Sequence, residues 1–171
     1  ETLHMPNKKH LFAGLLLLVA SHAHADFNDG VVALMAGKFD IALKTFVPLA
    51  ETNNHAYAQY FLGRMYERGE GVEKNAKTAA QWYRKAAEKG VNDAQFRLAL
   101  MYESGQGVPK DMEYAYGWYS VAAHLGSNKA IPALAHVKSE MRDEELVEAD
   151  KLSRELIGKY GSVPESTSRA Q

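Results

Sequence analysis

The chain has 171 residues, a formal net charge of −1 and no cysteine, and 46% of its residues are hydrophobic. That length suffices for one domain whose core needs no covalent staples, and the missing cysteine excludes disulfides and a lipid carried on a thiol. The near-balanced charge lacks the clustered basic excess of a nucleic-acid binder, so no nucleic-acid partner is expected.

Taken in chain order, residues 1–25 read as a leader. Lys8, Lys9 and His10 form a short basic start, Leu11 to Ala20 an apolar run, and Ser21-His22-Ala23-His24-Ala25 closes with an A-x-A pattern. This is the layout of a secretory signal peptide with cleavage after Ala25. The apolar run spans residues 11–20, too short for a membrane span, which needs roughly 18 residues. Residues 1–4 precede Met5 and read as an upstream extension. The expected product is a periplasmic or secreted chain starting at Asp26, with no membrane span left after leader removal.

Residues 26–57 read as a first helix pair, Val31 to Ala36 and Phe39 to Ala50, broken at Gly37, with Phe46 aligned to Trp82 and Ala50 to Ala86. Residues 58–93 then recur at 94–129 without a gap, and 17 of the 36 aligned positions are identical. A fixed period of roughly 20–50 residues marks a stacked repeat array. Within each copy the spacing is helical: Ala58, Leu62, Met65 and Tyr66 form one stripe, and Ala79, Trp82, Tyr83, Ala86 and Ala87 another. Gly69 to Asn75 reads as the turn between them, with glycine at a left-handed helix end and Asn75 (Asp111 in the second copy) as N-cap. Gly90 and Gly126 end the second helices, and Trp82 and Trp118 are expected to fill the buried seams. Residues 130–160 depart from the repeat and read as capping helices, Ala130 to Met141 and Asp143 to Lys159, the latter capped by Asp143. Residues 161–171 are expected to be a disordered tail.

The residues Ala58-x-Tyr60-x-Leu62-Gly63-x-Met65-Tyr66-x-x-Gly69-x-Gly71-Val72 and Ala79-x-x-Trp82-Tyr83-x-x-Ala86-Ala87-x-x-Gly90 closely resemble the Sel-1-like repeat, the tetratricopeptide variant with a longer glycine-containing loop. The second copy matches with Ala99 in place of Gly63, and the leading pair looks more like an ordinary tetratricopeptide unit. The resemblance implies an all-α, right-handed α-solenoid whose concave face binds proteins or peptides. Exported bacterial members look like scaffold, assembly or host-contact proteins. Cysteine-rich members linked to β-lactam binding or hydrolysis hold their repeats with disulfides, and this chain has none of those cysteines.

No catalytic site, cofactor site or metal site emerges from the residues. The Gly69-x-Gly71 and Gly105-x-Gly107 pairs have no preceding strand and no following G-K-[ST], so they do not meet the requirements of a phosphate loop. His55, His124 and His136 are far apart. No nucleophile motif occurs, and Glu67 and Glu103 recur in both copies, as residues serving the repeat's own packing do. A functional surface should instead break the repeat symmetry. Phe61, Arg64 and Arg68, at i, i+3 and i+7, become Arg97, Leu100 and Ser104 in the next copy. These six are the expected peptide-binding positions, with the arginines receiving an acidic or C-terminal carboxylate. The expected function is that of a non-enzymatic protein- or peptide-binding scaffold of the bacterial envelope. The alternatives are a β-lactam- or peptidoglycan-directed hydrolase and a structural part of an envelope machine.

Overall fold

The computed structural model describes residues 26–162; the expected leader and nearly all of the expected tail lie outside that range. Helix α1 covers 26–35. It is followed by α2 (Phe39–Glu51), α3 (Ala56–Arg68), α4 (Ala76–Ala87), α5 (Asn92–Ser104), α6 (Met112–His124), α7 (Ala130–Glu140) and α8 (Asp143–Tyr160). No strand occurs among the described residues. From α2 to α7 each helix packs on the next, giving an all-α solenoid. No described helix is long and apolar enough to cross a membrane.

Local chemistry sets the helix ends. Asn75 Oδ1 accepts the Thr78 N–H and Asp111 Oδ1 the Tyr114 N–H, both at 3.0 Å, satisfying donors that a helix start leaves open. His55 caps α3 in the same way, its Nδ1 accepting from Ala58 at 3.2 Å. Each repeat's structure therefore begins two residues before Ala58 and Ala94, at Ala56 and Asn92. Gly69 and Gly105 end α3 and α5 in the left-handed region, at φ 74° and 72°. The cap of α8 falls one residue earlier than the sequence reading places it. Arg142 is the extended N-cap and Asp143 the first helical residue, because Glu145 stands at the third helical position. From there it reaches back to the Arg142 N–H at 3.0 Å and guanidinium at 2.6 Å.

Burial corrects two further expectations. Phe46 and Tyr83 are fully buried, whereas Trp82 is only partly so, with the Lys85 ammonium 4.2 Å above its ring. Trp118, at 3% exposed, is buried as expected, while the fully buried aromatic residues of the seams are Phe46, Tyr83 and Tyr119, and Phe46 corresponds to Tyr83 rather than to Trp82. Gly30 and Gly63 confirm that register. A Cβ at Gly30 would meet the Phe46 ring at 2.7 Å, and one at Gly63 the Tyr83 ring at the same distance. Each glycine makes room for the aromatic residue of its own pair. Leu62, Met65 and Leu98 are also fully buried, each worth about 1.5–3 kcal/mol of transfer free energy.

The second glycine of each G-x-G loop joins neighbouring units. Gly71 (φ 74°) lies against Phe39 and Leu43 at the start of α2, and Gly107 (φ 74°) against the Ala76 carbonyl at the start of α4. The following Val72 and Val108 pack into the two core clusters. Each long loop is therefore a clamp on the second helix of the preceding unit. At the C-terminal end the pattern changes, because α8 lies along α6. Gly117 gives space to Leu156, the Tyr116 hydroxyl donates to Asp150 at 2.7 Å, and Trp118 stacks on Tyr160.

Candidate protein-interaction surface

The first helices of successive units, α3, α5 and α7, share a face crossed by ionic contacts. Arg97 of α5 reaches Glu67 of α3 at 3.7 Å, and His136 of α7 reaches Glu103 of α5 at 3.8 Å. Lys129 and Asp93 add an exposed pair at 3.8 Å. The two glutamates are held identically from behind. The Tyr83 hydroxyl donates to Glu67 at 2.6 Å, and the Tyr119 hydroxyl to Glu103 at 2.5 Å. Burial and then the bond to glutamate push both tyrosines' pKa values up, so both stay neutral donors. The recurrence of Glu67 and Glu103 is explained: each bonds the aromatic residue of its own unit through one oxygen and faces a basic side chain of the next unit, Arg97 or His136, through the other.

The six expected binding residues separate on this face. Phe61 is partly buried in the N-terminal cluster, stacked on Phe46 at 5.2 Å and tilted against Phe27, so it serves packing as well as presenting an edge. The Arg64 guanidinium lies 5.5 Å above the Phe61 ring, with no carboxylate partner among the described residues. Arg97 is engaged by Glu67. Arg68 is exposed at the far end of α3 and turns to Glu70 at 3.4 Å. Leu100 is partly buried, and Ser104 donates its hydroxyl back to the Leu100 carbonyl at 2.8 Å. The structure therefore brings together Phe61, Arg64 and Arg97, and leaves Arg68 and Ser104 at the rim.

The residue that joins this group is Tyr60, which the sequence reading passed over. Its pKa is raised, first by burial and then by the Asp93 carboxylate, while Arg64 and Arg97 pull it down. A half-buried tyrosine between two arginines offers an apolar ring and a hydroxyl to a bound segment. Its signal in the sequence was weak, because Phe96 replaces it conservatively in the second copy. His136 was missed as well: its Nε2 faces both Glu103 and, at 3.5 Å, Glu140 one turn along α7. Both carboxylates face one exposed nitrogen.

A second polar centre lies at the opposite ends of the units. Gln59 is 1% exposed. Its Nε2 donates to the Ala50 carbonyl at 3.0 Å and to Asn54 at 2.9 Å, and its Oε1 accepts from Lys89 at 2.6 Å. Burial, and then Lys85, lower the Lys89 pKa. The equivalent Gln95 donates to the Ala87 carbonyl at 3.1 Å, but its Oε1 has no protein partner, since Leu125 stands where Lys89 would be. An open cleft of about 740 Å³ borders the Gln59 centre, lined by Glu51, Asn54, Lys85, Glu88, Lys89 and Tyr160 among others.

Comparison with known proteins decides what these units are. The sequence matches the Sel1 repeat family at residues 56–91 and 92–127, the spans bounded by the His55 and Val91 caps. The chain is a Sel1-like repeat protein. Its fold is similar to that of a protective antigen present in uropathogenic Escherichia coli strains, a solved structure displaying an SLR fold. That match has a TM-score of 0.76 and 30% identity and covers 86% of this chain. It is also similar to a Sel1 repeat protein from Oxalobacter formigenes, at TM-score 0.61 and 34% identity over 76% of this chain. The chain spans 32% and 55% of the lengths of those two proteins. No curated protein matches the sequence. Sel1 repeats are protein-interaction scaffolds, and the shared face of α3, α5 and α7 is where two of them stand side by side.

Proposed function

We propose that this Sel1-like repeat protein is an adaptor of the bacterial envelope that captures a protein segment on the face of α3, α5 and α7. The observation that carries the reading is the group Tyr60, Phe61, Arg64 and Arg97. It differs from its counterpart one repeat later, whereas the packing residues beneath it do not. Arg64 is the anchor: its charge has no carboxylate partner among the described residues, so a carboxylate of the bound segment meets a cation not already engaged. Arg97, held by Glu67, sets the geometry beside it. Affinity comes from these few side chains rather than from total area. Export is supported by the leader-like residues 1–25, and a contact role at the cell surface by the similarity to a protective antigen. Catalysis is not part of the reading.

The test is cross-linking of residues 26–171 in cells, followed by pull-down from envelope fractions and mass spectrometry. A small set of partners lost on Arg64→Ala and Tyr60→Ala supports the reading. The same set retained on both variants, with helical content unchanged, refutes it.

A further inference from the structure

The outer face of α4 is exposed and basic, and a comparison with α6 shows what shape fits it. Shifted by one repeat, the α4 positions Ala80, Gln81, Arg84, Lys85 and Glu88 correspond to Tyr116, Gly117, Ser120, Val121 and His124 of α6. On α6 this face is covered by α8: Leu156 fits over Gly117, and Asp150 accepts from Tyr116. On α4 it is open. A groove of about 500 Å³ runs there, lined by Lys77, Ala80, Gln81, Arg84, Lys85, Glu88, Gly107 and Val108.

The groove carries clustered positive charge. Lys77, Arg84 and Lys85 have no carboxylate partner among the described residues and stand together on one helix face, with Glu88 the only acidic residue lining the groove. Three cations against Glu88 leave the groove at +2, over a floor of Ala80, Gly107 and Val108. Arg84 is held in place from one side, donating to the Tyr102 hydroxyl at 2.6 Å, so its remaining N–H edge is oriented toward a ligand in advance. Lys85 rests on the Trp82 ring at 4.2 Å. We infer that the outer face of α4 docks an acidic amphipathic helix of a partner protein, in the position that α8 takes on α6. The partner's apolar stripe lies on the half-buried Val108 and the aliphatic stems of Lys77 and Lys85, and its carboxylates lie against the charged ends of Lys77, Arg84 and Lys85. The site is separate from the α3–α5–α7 face and stands independently of the function proposed for it.

The probe is a fluorescein-labelled 18-residue helix of Glu, Leu and Ala, compared with a counterpart carrying Lys for Glu. Binding to residues 26–171 is followed by anisotropy at low and high salt, and its place by the Val108 methyl resonances. The acidic peptide is expected to saturate, to weaken with salt and to shift Val108, and the basic one to do none of these. K77Q/K85Q, which removes no internal hydrogen bond, is expected to weaken binding by about fivefold, the size of two exposed charge pairs. Arg84→Lys is expected to bind more weakly than wild type, and Arg64→Ala to bind equally well. Unchanged affinity in K77Q/K85Q, absence of saturation, or shifts at α5 and α7 in place of Val108 would overturn the site. A concentration-dependent dimer in sedimentation that K77Q/K85Q abolishes would make the occupant a second copy of this chain, overturning the separate partner.

Discussion

Replacing Gly107 with alanine tests whether the long loop is a clamp between units or only a connection. Gly107 has φ 74°, and a Cβ built there would sit 2.2 Å from the Ala76 carbonyl oxygen and 2.4 Å from its carbon. Left-handed backbone alone costs a non-glycine residue about 1–2 kcal/mol. The contact adds more, because the obstacle is backbone at the start of α4 and cannot rotate away as a side chain could. Gly126 provides the control: it has φ 87°, and a Cβ there would meet nothing within 4 Å. Gly126→Ala should therefore lose about 1–2 kcal/mol and Gly107→Ala at least about 3 kcal/mol, the upper range for a single substitution. For a domain of this size the difference amounts to several degrees in Tm, at about 2–4 °C per kcal/mol. Urea and thermal unfolding followed by circular dichroism at 222 nm measure both. If the two variants unfold within about 1 kcal/mol of each other, the loop carries no contact strain and the clamp is wrong.

Tyr119→Phe removes the donor to Glu103 and should cost about 1.5–3 kcal/mol, as hydrogen bonds to charged groups do; a double-mutant cycle with Glu103→Gln in urea isolates the term. Gln59→Leu should destabilise by about 1–3 kcal/mol, since it strands the Ala50 carbonyl and the Lys89 contact, and Gln95→Leu by less, because its Oε1 is already without a protein partner. The alkaline limb of stability follows from the tyrosines. Burial and the bond to Asp150 raise the Tyr116 pKa to about 12, and Tyr83 and Tyr119 move the same way. The native state thus keeps protons that the unfolded chain releases near its ordinary value of about 10. Stability is full below that pH and falls as pH rises through it toward the folded value. Urea midpoints should be flat from pH 8 to 9.5 and drop above about pH 10; a midpoint that rises there would contradict the assignment.

Much of the candidate surface was legible because repeats separate their two kinds of position. Leu62 and Leu98 recur because both are fully buried, while Phe61 and Arg97 exchange because they look outward. That contrast located the α3–α5 face. It misjudged Phe61, whose ring is shared between the surface and a core cluster that includes Phe27, and it passed over Tyr60, whose replacement by Phe96 hides a difference in neighbouring charge. It also set Phe46 against Trp82, one residue off. The glycines that fix the true register, Gly30 and Gly63, reveal it only when the ring they admit is seen.

By itself the sequence determined the helical period, the presence of two full units, the Asn75 and Asp111 caps and the left-handed glycines. These are local consequences of spacing and backbone conformation. Tertiary structure decided what no period encodes. It chose Arg97 for Glu67 but His136 for Glu103, laid the Gly107 loop on the start of α4, and set α8 along α6 while leaving the matching face of α4 open and basic. Those outcomes depend on side chains distant in sequence meeting across helices, where distance, burial and charge choose the partner.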